Sequence, residues 1–179
     1  MSRLLFALCL GLALIWQSAH AQSPAAVSTT DRHHTFVEHA EKRYKQYLAS
    51  QSEGDVAAYK EVRTKRAYEA TMEQLKKLGK APSELGPMLK SVSSLQTDIA
   101  PLTFVRCDAK PRVARLLYTR EGSGPKGPTL EFAAFMIRWE DGAWRIDWVG
   151  HATGSSTRSD GGKRTAEEML LGDPRLSLD

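Results

Sequence analysis

Two pairs of side chains in this sequence have the types and spacing for chemistry, and a third cluster needs weighing beside them. Tyr59 and Arg63 lie four residues apart in a helical stretch, so they share one helix face. A phenol donor one turn from a guanidinium suits an anionic ligand. The other reading is an amphipathic core tyrosine beside a surface arginine. Tyr44, Tyr47 and Tyr68 mark the same inner helical sides and extend either reading. Asp147 and His151, also four apart, fall in a strand on the side of Arg145. An acid and a histidine on one face form a base and its orienter. With no nucleophile nearby, they equally form the wet side of a half-exposed strand. His33, His34 and His39 cluster with Glu38 and Glu41. His34, Glu38 and Glu41 share one helix face, which supplies a tetrahedral metal site poorly, and there is no His-Glu-x-x-His pattern. The expectation is a solvated helix start, with no metal, no cofactor and no catalytic residue assigned.

The remaining reactive features are plain. Gly122 to Gly127 contains Gly and Lys but matches no phosphate loop, and no helix follows it. Cys9 lies in an N-terminal apolar run, which leaves Cys107 as the one cysteine beyond it and excludes an internal disulfide. In the run 102–107, Cys107 falls on the side of Thr103 and Val105 by the period of two, as a buried, inert thiol. The chain has no asparagine, so it carries no N-glycosylation sequon.

Residues 1–21 read as a secretory signal peptide. Arg3 is the basic start, Leu4 to Trp16 the apolar run, and Ala19-His20-Ala21 the cleavage site before Gln22. The run is too short for a stable span, and no second apolar segment follows it. The expected location is periplasmic or secreted, with no membrane span in the mature chain. Removing Arg3 lowers the formal net charge of +4 by one. Lys and Arg alternate with acids throughout, which argues against nucleic acid as a partner. About 158 residues remain, enough for a single domain with its own core.

These side chains need elements to hold them. Residues 22–30 are small and polar, a flexible leader. A helix starts near Asp31, with Phe36, Ala40, Tyr44, Tyr47 and Leu48 on one stripe, and breaks at Ser50 to Gly54. Asp55 caps a second helix that runs on toward Gly79 with a bend near Thr64. Ser83 caps a third, with Leu85, Met88, Leu89, Val92 and Leu95 apolar. The period then changes to two, and strands are expected over 102–108, 112–120, 129–139 and 143–150. Lys110-Pro111, a loop over 121–128, and the strong hairpin signal Asp141-Gly142 separate them. The run 130–139 is apolar on both sides, which requires cover on both faces. Trp144, Ile146 and Trp148 are expected on one face of the last strand. Residues 152–179 read as a disordered tail. A capping box at Thr165-Ala166-Glu167-Glu168 begins a short helix over 165–171.

Helices first, then an antiparallel meander closing on an acidic Gly turn and a Trp strand, resemble the nuclear-transport-factor-2-like superfamily. Ser52-Glu53-Gly54-Asp55-Val56-Ala57-Ala58-Tyr59 and Phe135 to Ile146 carry the likeness, which spans 31–151. It implies an α+β cone in which a curved four-stranded antiparallel sheet wraps a helix, with a pocket between them and homodimers through the outer sheet face. The 64–97 helical stretch departs from the pattern. Members that are enzymes use an acid or histidine base with tyrosine donors; these do not match residue by residue, so no catalytic role carries over. The fold hosts unrelated functions. The first expectation is a non-enzymatic periplasmic domain that binds a small apolar or anionic ligand or a protein partner. The alternative is an isomerase or dehydratase acting on a small molecule. A third reading makes the tail, 152–179, an interaction element.

Overall fold

The structure, a computed structural model, describes residues 29–125, 127–157, 161–163, 165 and 178. The expected signal peptide, most of the expected leader and all of the expected 165–171 helix but Thr165 lie outside these. Four α-helices and one 3-10 turn precede four strands. The helices are α1 (Thr29–Glu53), α2 (Val56–Val62), α3 (Lys65–Lys77) and α4 (Leu85–Ser93). The strands are β1 (Thr103–Lys110), β2 (Val113–Gly124), β3 (Gly127–Glu140) and β4 (Ala143–Ser155). They form one antiparallel sheet in the order β1-β2-β3-β4, the expected α+β meander.

Local chemistry explains the breaks. Helix α1 runs through the expected 50–54 gap to Glu53 and stops at Gly54, whose φ of 66° suits a glycine. A Cβ there would lie 2.8 Å from the Gly86 carbonyl oxygen, so Gly54 also lets the start of α4 approach closely. Asp55 caps α2 by accepting 3.0 Å bonds from the Ala57 and Ala58 amides. The bend expected near Thr64 is a full break. The Thr64 amide donates to the Ile146 carbonyl at 3.0 Å, and Arg63 bridges Ile146 in parallel. The chain leaves helical geometry there to satisfy the free edge of β4. The Thr64 hydroxyl then accepts from the Ala67 amide and starts α3. Helix α4 ends at Ser93, so Leu95 lies beyond it and is exposed.

The sheet extends further than its apolar pattern predicts. The expected 121–128 loop is shorter than its residues suggest, because β2 and β3 stay paired to Gly124↔Gly127. Strand β4 continues past 151 to Ser155, since β3 offers Leu130 and Thr129 as partners. Asp141 and Gly142, at φ 51° and 77°, form the tight turn that their types predicted.

The doubly apolar strand is covered on both faces. Ala133, Phe135 and Ile137 of β3 join Tyr44, Tyr47, Tyr59 and Leu89 in the core beneath the helices. Tyr44 stacks on Phe135 with ring centroids 4.6 Å apart, which seats α1 on the sheet. Leu130, Phe132, Ala134 and Met136 form a second cluster on the outer face. Trp139, at the end of the inner row, stays 44% exposed and meets Trp144 edge-on.

Two bulges overturn two facing expectations. The register shifts between Met136 and Ile137 opposite β4, so Ile146 pairs Ile137 while Trp148 pairs Met136. The extra residue, Asp147, flips the alternation. Trp144 and Ile146 therefore face inward and Trp148 outward, not all one way. A shift between Phe104 and Arg106 does the same in β1. Cys107 accordingly packs on the inner core, on the side of Phe104 and not of Val105. It is half-buried, and burial, with Asp108 beside it, pushes its thiol up to about 11.

Candidate functional site

Arg63 sits where α2 ends and the chain joins the edge of β4. Its guanidinium carbon lies 5.3 Å from the centre of the Tyr47 ring and 5.8 Å from that of Tyr59. One turn of α1 and one of α2 supply these rings, because Tyr47 and Tyr59 both fall on inward helical positions. The two sequence candidates, Tyr59 and Arg63, are thus brought together. Nε and Nη1 of Arg63 are buried and make no hydrogen bond. Leaving such donors unsatisfied is costly, so their placement calls for a reason.

Around Arg63 the polar groups are ordered. The Tyr59 hydroxyl is 3.2 Å from the Thr71 hydroxyl, which donates to the Ala67 carbonyl at 3.0 Å. Gln51 donates to the Tyr47 hydroxyl at 3.0 Å, while its own Oε1 is buried without a partner. Burial pushes the Tyr47 phenol up to about 12 even though the nearby Arg63 charge opposes it, so Tyr47 stays neutral at physiological pH.

Outward from Arg63 opens a cleft of about 660 Å³ lined by Lys60, Glu61, Lys65, Tyr68 and Arg145, among others. The Lys60 ammonium lies 5.6 Å from the centre of the Tyr68 ring. Both carboxylate oxygens of Glu140 accept from the Lys65 amide at 3.2 Å, at the start of α3. Arg145 donates to the Glu61 and Glu140 carbonyls and pins α2 to the β3–β4 turn. The wall therefore holds both signs of charge, with an apolar tyrosine floor.

Asp147 and His151 do not meet, and neither lines this cleft. Asp147 is the bulge residue, with a side chain 1% exposed. It accepts from Thr64 at 2.8 Å, from Arg138 at 2.7 Å, and from Arg66. Burial raises its pKa, but the bonds from Arg138, Thr64 and Arg66 outweigh that and hold the carboxyl below the usual range. Such a group is a poor base. It is the hub that joins α3 to β4, not the wet strand face expected. His151 lies 3.4 Å from Glu131, which also takes a 3.0 Å bond from Arg120. The histidines at 33, 34 and 39 stand exposed on α1, and Glu41 accepts a 2.8 Å bond from Tyr118. Among the described residues no group of three or more His, Cys, Asp or Glu is placed to hold a metal.

The residues that sequence reasoning missed are Gln51, Lys60 and Glu140. Gln51 follows Tyr47 by four residues, so helical spacing offered a signal. Glu140 offered none, because the break at Thr64 that it caps is a tertiary feature.

No family model matches the chain, and no curated protein sequence matches it. Among solved structures it is similar to a crystal structure from Streptomyces avermitilis, assigned as a dehydratase of the NTF2-like family. The two are 13% identical with a TM-score of 0.34, and the match covers 67% of this chain and 96% of that one. The order of helices followed by one four-stranded antiparallel meander, with α1 seated on its inner face, is the α+β arrangement that the sequence resemblance implied.

Proposed function

We propose that this chain is an exported binding domain that holds a small organic anion in the cleft beside α2 and β4, with Arg63 as its anchor. The observation that carries the reading is the pair of buried Arg63 donors without acceptors. Carboxylate or phosphate oxygens are the acceptors a guanidinium favours. The Tyr47 and Tyr59 rings flank the guanidinium, and Lys60 and Lys65 stand at a wall where Glu61, Glu69, Glu140 and Asp141 balance the cations, so that Arg63 is the anchor. The cleft volume lies within the usual range of small-molecule sites. Binding without catalysis is the simpler reading, because Asp147, His151 and Tyr59 do not converge. The signal-peptide pattern at 1–21 supports export to the periplasm or beyond.

Calorimetric titration of the mature protein with succinate, benzoate and inorganic phosphate tests this. At least one probe should bind saturably, and Arg63→Met should abolish that binding. If every probe binds wild type and Arg63→Met alike, or none binds wild type, the reading fails. The intact mass of protein recovered from the producing cell tests export, since cleavage before Gln22 removes residues 1–21.

A further inference from the structure

The outer face of the sheet is built as a second core. Val113, Leu117, Leu130, Phe132, Ala134 and Met136 are each 6% exposed or less. The helices do not account for this, because α1 to α4 contribute no residue to the cluster. The partly buried hydrophobic residues that pack on it are Trp148, Ala152 and Leu178. Trp148 lies flat along β4 across Gly150, whose hypothetical Cβ would be 1.9 Å from the indole ring. One indole and one alanine do not cover a strand's length. Leu178 is the remaining described apolar cover.

We propose that this face is the seat of the chain's own C-terminal segment, residues 165–179, and not of a second copy. Leu178 already rests there. The segment carries Met169, Leu170, Leu171, Leu176 and Leu178 among otherwise polar residues, which gives it apolar side chains to match the face. It also has the reach. Roughly 23 residues separate the end of β4 from Leu178, and an extended chain of that length spans about 70 Å, more than the face requires. A domain that covers its apolar sheet in this way stays single in solution.

Compare the mature chain with a version ending at Arg164, using an apolar fluorescent dye and light scattering after gel filtration. The mature chain should be a monomer that binds little dye. The shortened chain should keep its circular dichroism, bind several-fold more dye, and gain mass with concentration. A synthetic 165–179 peptide should reverse both changes. If the shortened chain fails to fold, Leu178→Glu in the full-length protein decides, and it should raise dye binding in the same sense. Unchanged dye and mass on shortening, or unchanged dye with Leu178→Glu, would overturn the proposal. So would a mature dimer that dissociates on shortening, since the segment would then join copies.

Discussion

The Thr64 hydroxyl donates a 2.8 Å hydrogen bond to Oδ1 of Asp147, 83 residues away, while the same oxygen caps α3 by accepting from the Ala67 amide. One side chain thus starts a helix and ties it to the bulge of β4. Arg138 and Arg66 complete the shell around the carboxylate.

Breaking this hub should destabilise the fold. Asp147→Ala leaves a buried threonine hydroxyl and the half-buried Arg138 without their acceptor. The expected loss is about 2–4 kcal/mol in urea unfolding. Arg66→Ala should cost under about 1 kcal/mol, because Arg66 is mostly in water. The pH dependence has a definite sign. The folded state holds the Asp147 carboxyl below its unfolded value, so its contribution is complete above the unfolded value, about 3.9. It is lost as pH falls from there through the lower folded value. Wild type should therefore lose stability more steeply below pH 4 than Asp147→Ala does. Parallel curves for the two proteins would contradict the hub.

Arg63→Met should separate stability from binding. The arginine holds two buried donors unpaired, a standing penalty that a methionine of similar length does not carry. The variant should match or exceed wild-type stability by up to about 1 kcal/mol, read by chemical denaturation. A loss above about 2 kcal/mol would mean that the guanidinium is structural, held by its two tyrosine rings.

The legibility of this molecule followed the range of the forces involved. Asp55, Asp141-Gly142 and the inward tyrosines are set by local spacing and turn chemistry, and they stand where the residues placed them. Tyr59 and Arg63 meet because a helix turn brings i and i+4 together. Asp147, Trp148 and Cys107 were misplaced by two bulges, each an extra residue that periodicity counts as ordinary. In the sequence the break at Thr64 reads only as a bend, because it is the free edge of β4 that gives the chain a reason to leave the helix there. The long loop and the early end of β4 were misjudged for a related cause. Gly122, Gly124 and Gly154 look like turn residues, yet a neighbouring strand holds them extended.

Cys107 should react slowly. Its thiol is half-buried, and its pKa of about 11 leaves roughly a thousandth as thiolate at pH 8. Alkylation by iodoacetamide should run at least about tenfold slower than for free cysteine, whose pKa is near 8.5, and should rise to that rate in urea. Equal rates in the folded and unfolded protein would show that β1 opens readily.

Gly150→Ala should damage the outer face alone. Gly150 pairs Ala134, and the Trp148 ring occupies the space above it, with ring carbons 1.9, 2.5 and 2.8 Å from where a Cβ would stand. A methyl group cannot share that volume. The backbone is held by pairs on β3, so the indole must leave. Displacing it uncovers Met136 and Ala134, at an expected cost of about 2–3 kcal/mol. The core beneath the helices holds Phe135 and Ile146 on the opposite side of the same strands and should keep its packing. Trp148 can be followed separately in a protein beginning at Gln22 in which Trp139 and Trp144 are changed to Phe. In that background Gly150→Ala should shift the emission to the red, as the indole moves into water. An unshifted spectrum would mean that the ring finds a second buried seat and that its place over Gly150 is not what closes this face.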